Sequence, residues 1–179
     1  MSNRRKAFAG IVVLIVLAAA VGYFYLTKSQ SVEVTVDPGK KYRIAGKYYE
    51  GFYGDRKLED IFGEMRRLIE NREIEGELAI LYYGDPTDER GMVKNFIGIL
   101  PEPGSEIPSS LEVRNFSPES TITVSIHSHP TVMPRPNKIR KMMEEEATKQ
   151  GYALDSIFME KYLGNEDIVV MRHLYKASD

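Results

Sequence analysis

Leu78–Pro86 reads LAILYYGDP and Phe158–Asp167 reads FMEKYLGNED, and the fold follows from reading these two stretches as equivalents. Each is an apolar, aromatic-rich run that ends in a turn signal, Gly84-Asp85-Pro86 in the first and Gly164-Asn165-Glu166-Asp167 in the second. Such runs bounded by Gly, Pro, Asn and Asp predict β-strands entering hairpins. The strands are expected over Glu77–Tyr83 and Ser156–Leu163, returning over Met92–Leu100 and Ile168–Tyr175.

Working outward, each hairpin follows a helix. Leu58, Ile61, Phe62, Met65, Leu68 and Ile69 recur at helical spacing, with Glu59, Glu64, Arg66 and Arg67 off the stripe and Asp55 placed to cap the helix. Ile139, Met142 and Met143 mark a second helix, from Pro136 or Asn137 to Gln150, with Gly151 as its stop. Extended segments precede both helices: Val32–Val36 and Tyr42–Tyr53 in the first half, Leu111–Phe116 and Thr121–Ser128 in the second. PEPGSEIPSS (101–110) is the linker. The expectation is an α+β domain over 41–176 made of two strand-helix-hairpin repeats, 41–100 and 111–176. They form one pseudo-twofold antiparallel sheet with both helices on one face.

The chain has 179 residues, with 24 Lys+Arg, 26 Asp+Glu, a net charge of −2 and no Cys. Disulfide scaffolds, thiol nucleophiles and zinc-thiolate sites are excluded. Near-neutral charge argues against a nucleic-acid partner. Residues 7–26, AFAGIVVLIVLAAAVGYFYL, carry no charge and follow Arg4, Arg5 and Lys6. Twenty helical residues span roughly 30 Å, so 7–26 is expected to be a transmembrane helix with a lipid bilayer as partner. The basic leader 1–6 places the N-terminus in the cytoplasm and the rest of this single-pass chain on the far side. Ala18-Ala19-Ala20 offers a signal-peptide cleavage site, but the apolar run continues past it. Residues 27–40 are expected to be a stem with one short strand.

The order of elements from 41 to 176 resembles the GyrI-like small-molecule-binding fold, which includes effector-binding domains of transcription regulators. LAILYYGDP and FMEKYLGNED are the landmarks of the likeness. It implies a groove between the repeats in which Glu160 meets apolar or cationic ligands. The apolar N-terminal run, GFYG (Gly51–Gly54) and the YYGDP strand also resemble the membrane-anchored testis-expressed endoplasmic-reticulum autophagy receptor family, although the chain ends at Asp179 without that family's long tail.

Glu160 and Tyr162 stand two apart on a strand and share a face. With Tyr82, Tyr83 and Tyr49 they are the expected ligand-binding set: a carboxylate for a cation, aromatic faces for cation–π attraction and phenols as hydrogen-bond donors. No cofactor is implied. No catalytic residue is assigned; Glu160, if buried, is the one candidate general base. His127-Ser128-His129-Pro130 resembles the core of the JAMM metalloprotease motif. His127 and His129 would share a metal, but Asn137 and Arg140 stand where that family has a Ser and a ligating Asp, so no metal is assigned. The alternatives to a small-molecule binder are a tethered adaptor that docks a protein partner and a hydrolase using Glu160 or the His pair.

Overall fold

The computed structural model describes residues 3–28, 30–84, 91–129, 132–164 and 167–176, the side chains of 3–10 and 25–28 excepted. Asp85, Pro86, Asn165, Glu166 and Pro130, which belong to the expected turns and to the HSHP segment, lie outside the described residues. The elements are α1 (Asn3–Lys28), β1 (Ser31–Pro38), β2 (Tyr42–Phe52), α2 (Arg56–Glu70), β3 (Gly76–Tyr83), β4 (Met92–Pro101), β5 (Glu112–Phe116), β6 (Ser120–His127), α3 (Pro136–Lys149), β7 (Tyr152–Tyr162) and β8 (Asp167–Lys176). The strands form one antiparallel sheet in the order β1-β6-β8-β7-β3-β4-β2-β5.

That order is symmetric about the β3–β7 seam. Outward from it, β3-β4-β2 on one side matches β7-β8-β6 on the other. The outermost strands are exchanged. β1 precedes β2 in the chain but pairs with β6, whereas β5 precedes β6 but pairs with β2. Each half thus closes the open edge of the other, which leaves fewer unpaired backbone groups than two separate halves would. The short strand expected within 27–40 is β1, an edge strand with Val34 opposite Val124.

Local chemistry accounts for the two domain helices. The side chain of Asp55 accepts the Lys57 N–H at 2.9 Å and caps α2, while Ile61 and Met65 are buried against the sheet. Lys47 donates to both carboxylate oxygens of Glu64 at 2.7 and 2.8 Å, tying α2 down to β2. In α3, Pro136 occupies the first turn, where its missing N–H costs nothing, and Ile139, Met143 and Ala147 are buried. Gly151, at φ +76°, takes the left-handed conformation immediately after the helix.

Both faces of the sheet are apolar, which explains why the central strands read as continuous runs. The helix-covered face carries Leu78, Ile80, Ile97 and Ile99 under α2 and Ile122, Val124, Ile126 and Val170 under α3. The opposite face carries Ile44, Ala79, Leu81, Phe96, Met159 and Met171, all buried. There the guanidinium of Arg114 lies 4.7 Å from the centre of the Phe96 ring and 4.8 Å from that of Tyr48.

β7 runs longer than its sequence pattern indicates. Leu154 faces Leu174 and Phe158 faces Arg172, so two more residues lie on β7 than on β8 between these pairs. This bulge keeps Leu154 and Phe158 on the same face and holds Asp155, which His173 meets at 3.0 Å.

Among the described residues no helix is long and apolar enough to cross a membrane. The transmembrane helix expected over 7–26 is therefore not supported, although the segment falls within α1. The side chains from Ile11 to Phe24 are exposed.

Gly46 and Gly98 face each other across β2 and β4. A Cβ at Gly98 would come within 2.4 Å of the Ala45 carbonyl oxygen, a backbone atom with nowhere to move. Gly98→Ala is expected to cost about 2 kcal/mol or more of unfolding free energy, in the range of overpacked cores, measured by urea denaturation.

Candidate ligand-binding groove

Pairing register decides which polar side chains meet. Directly opposed residues share a face, so one row across the sheet runs Ile122, Arg172, Phe158, Tyr82, Asn95, Tyr49. The next row runs Val124, Val170, Glu160, Ile80, Ile97, Lys47, and the one after it brings Tyr162 beside Leu78. Both helices cover these rows. Glu160 is thus a carboxylate set directly between two apolar neighbours, Val170 and Ile80.

Two phenols make that placement tolerable. The hydroxyls of Tyr82 and Tyr162 both donate to Oε2 of Glu160, each at 2.9 Å. Burial raises the Glu160 carboxyl above its ordinary value, and the two phenol hydrogen bonds and the charge of Arg172 oppose that rise. Burial and the neighbouring carboxylate push the Tyr82 and Tyr162 phenols far up, so both stay protonated and remain donors.

Aromatic rings surround the cluster. Tyr82 stacks on Phe158 with centroids 4.4 Å apart and planes 4° from parallel, and Arg172 lies 4.4 Å from the other ring partner, Phe158. Phe62 of α2 meets Tyr162 edge-on at 6.1 Å, with Arg66 5.4 Å from the Phe62 centroid. Two hollows flank that Phe62–Tyr162 contact. One, of about 430 Å³, lies between the first half of α2 and the sheet and is lined by Tyr53, Leu58, Glu59, Phe62, Gly63, Arg66, Ile80, Tyr82, Asn95, Ile97 and Tyr162. The other, of about 630 Å³, reaches from Phe62, Arg66 and Glu70 across Leu78 and Tyr162 to Met133 and Ile168 in the second half of the chain. They are lobes of one groove beside α2, sharing Phe62, Arg66 and Tyr162 as a common wall.

Of the expected ligand set, the structure brings Glu160, Tyr162 and Tyr82 together. Tyr49 lies on the same face but is 2% exposed, and its hydroxyl donates to the Phe52 carbonyl at 2.8 Å. Tyr83 belongs to the opposite face, where its hydroxyl accepts from Arg114 at 3.2 Å, so it does not join the cluster. His127 sits at the end of β6 with Nδ1 2.6 Å from Asp167, and no group of three metal-ligating side chains occurs among the described residues. Arg172, Asn95 and Tyr53 were not assigned to the site from the sequence, and Phe62 and Arg66 were read only as parts of a helix. A lone Arg in VVMRHLY and a lone Asn in VKNFIGIL are the signals that mark the first two, since a polar residue inside an apolar strand has to be accommodated somehow.

No family model and no curated protein matches the chain, so the likeness to the autophagy receptor family has no relative to support it. Solved structures do share its fold. EcmrR in complex with DNA is 11% identical with a TM-score of 0.55, covering 97% of this chain and 70% of that one. An integron cassette protein from the mobile metagenome of Vibrio cholerae is 9% identical with a TM-score of 0.50, covering 82% and 99%. A hydrolase from Listeria innocua is 9% identical with a TM-score of 0.50, covering 81% and 92%. At these identities the likeness is one of fold. The eight-stranded antiparallel α+β sheet is consistent with the GyrI-like fold that the sequence resembles.

The raised Glu160 carboxyl makes stability depend on pH. The folded state holds this proton to higher pH than the unfolded chain, so the contribution is full below the ordinary glutamate value of 4.5 and is lost as pH rises through the folded value. Glu160→Gln, which still accepts both phenols, is expected to melt with wild type near about pH 4 and above it near about pH 8. Thermal unfolding followed by circular dichroism measures the difference.

Proposed function

We propose that the groove beside α2 binds a small hydrophobic cation, with Glu160 as its counter-charge and Tyr82, Tyr162 and Phe62 as its aromatic walls. The observation that carries this reading is the buried Glu160 carboxylate lying behind two phenols, Tyr82 and Tyr162, whose rings line an aromatic cavity. Its desolvation is unfavourable in the empty protein and is offset when a cation arrives, which gives a carboxyl between apolar neighbours a purpose. Rings around the hollow add cation–π attraction of about 0.5–2 kcal/mol each when desolvated. The cation and the Glu160 proton compete, so affinity rises with pH through the Glu160 titration. EcmrR is seen with DNA, but a net charge of −2 gives this chain no basic surplus for such a partner.

The reading includes a membrane tether. Residues 7–26 carry no charge, and the apolar side chains from Ile11 to Phe24 are exposed, a surface that water does not favour and lipid does. With Arg4, Arg5 and Lys6 on the cytoplasmic side, the ligand domain stands across the bilayer.

Calorimetric titration of the full chain in zwitterionic detergent with (1-naphthylmethyl)trimethylammonium is expected to show saturable binding that weakens about tenfold in Glu160→Gln. Equal affinity in the two proteins removes Glu160 from the site, and no binding by either removes the cation reading and leaves the protein-docking adaptor. Alkaline carbonate extraction of cells is expected to leave the chain in the membrane pellet.

A further inference from the structure

Among the described residues, one buried side-chain oxygen or nitrogen has no hydrogen-bond partner: Oδ1 of Asn95. Asn95 is 3% exposed and sits in the middle of β4, directly opposite Tyr49 on one side and Tyr82 on the other. Both neighbours carry a phenol. Neither serves, because the Tyr49 hydroxyl is committed to the Phe52 carbonyl at 2.8 Å and the Tyr82 hydroxyl to Glu160 at 2.9 Å. The row is arranged so that both neighbours turn their protons elsewhere.

A buried acceptor left unpaired is destabilising, and native proteins rarely keep one without a use for it. A leucine would fill this volume without that cost. Asn95 also lines the 430 Å³ hollow, together with Tyr53, Phe62, Tyr82 and Tyr162, and Glu59 brings a carboxylate to the same wall. The missing donor is therefore to be sought in what occupies the hollow.

We infer that Asn95 is a specificity determinant that accepts a hydrogen bond from the ligand, so that among hydrophobic cations the groove selects those bearing an N–H. Protonated primary, secondary and tertiary amines present such a group. A quaternary ammonium or phosphonium ion of the same shape presents only carbon to Oδ1 and leaves it buried and unpaired. Sites built around a polar group discriminate strongly against analogues that lack its partner, whereas apolar pockets separate similar shapes poorly. The inference rests on the groove being a cation site and adds the class of cation it takes.

The test compares two ligands with one aromatic body, 1-naphthylmethylammonium and (1-naphthylmethyl)trimethylammonium, titrated into the full chain near neutral pH. The primary ammonium is expected to bind about tenfold more tightly to wild type, the worth of one charge-assisted hydrogen bond. In Asn95→Leu, checked for folding by its melting curve, the preference is expected to fall to about twofold or less through weaker binding of the primary amine. Equal affinities in wild type, or an undiminished preference in Asn95→Leu, overturn the role of Asn95 while the cation reading stands. Failure of both ligands to bind wild type overturns the cation reading and this inference with it. Should the variant not fold, the wild-type pair decides alone.

Discussion

The candidate site rests on the antiparallel seam between β3 and β7. Ile80 opposite Glu160 and Tyr82 opposite Phe158 put residues almost eighty positions apart in the chain onto adjoining rows. One carboxylate oxygen then receives two phenol protons, one from each strand. The arrangement is reciprocal: the carboxylate fixes the two rings, and the rings supply the polar contacts without which the charge would not be tolerated in that layer. Lys161, 2.6 Å from Glu77, ties the same two strands together from the opposite face. A shift of one residue along this seam would send Glu160 to the other side of the sheet and dissolve the site.

Much of the fold was legible because its signals are local. The α2 stripe with Asp55 before it, the Pro136 start of α3 and the run-then-turn form of LAILYYGDP and FMEKYLGNED each announce an element within a few residues. Glu160 and Tyr162 could be paired from alternation along one strand. What escaped was whatever depends on partners far away in the chain. Of two adjacent tyrosines, only register shows that Tyr82 enters the groove and Tyr83 the opposite layer. Asn95 and Arg172 sit inside runs that read as plain strand. The bulge puts the polar pair Asp155-Ser156 inside β7 and hid the first residues of that strand. Val32–Val36 announced a strand, yet nothing nearby in the sequence revealed that its mate was β6.

The two faces of the sheet divide the work. The face away from the helices is closed by hydrocarbon and by Arg114 stacked across three aromatic rings, and its carboxylates, such as Glu77 with Lys161, are held in ion pairs. The helix-covered face is where polarity is admitted: Glu160, Asn95, Arg172 and Lys47 all lie there, and α2 stands over the hollow that Asn95 borders. The apolar layer of the far face does not take part in the groove. Replacing a groove residue leaves the Phe96, Leu81 and Met159 layer intact, so ligand preference can change without the scaffold yielding.

The exchange of outer strands has a consequence for how the chain is made. β1 leaves the ribosome before the strand it pairs with: the backbone groups around Val124 are synthesised about ninety residues later, several seconds at ordinary elongation rates. Over that interval the newborn segment from Ser31 to Pro38 has no native neighbour. Its cargo of Thr35, Glu33 and Asp37 among the valines keeps it soluble while it waits. Completion is consequently a late, long-range event, and the tail of the message governs when its head can settle.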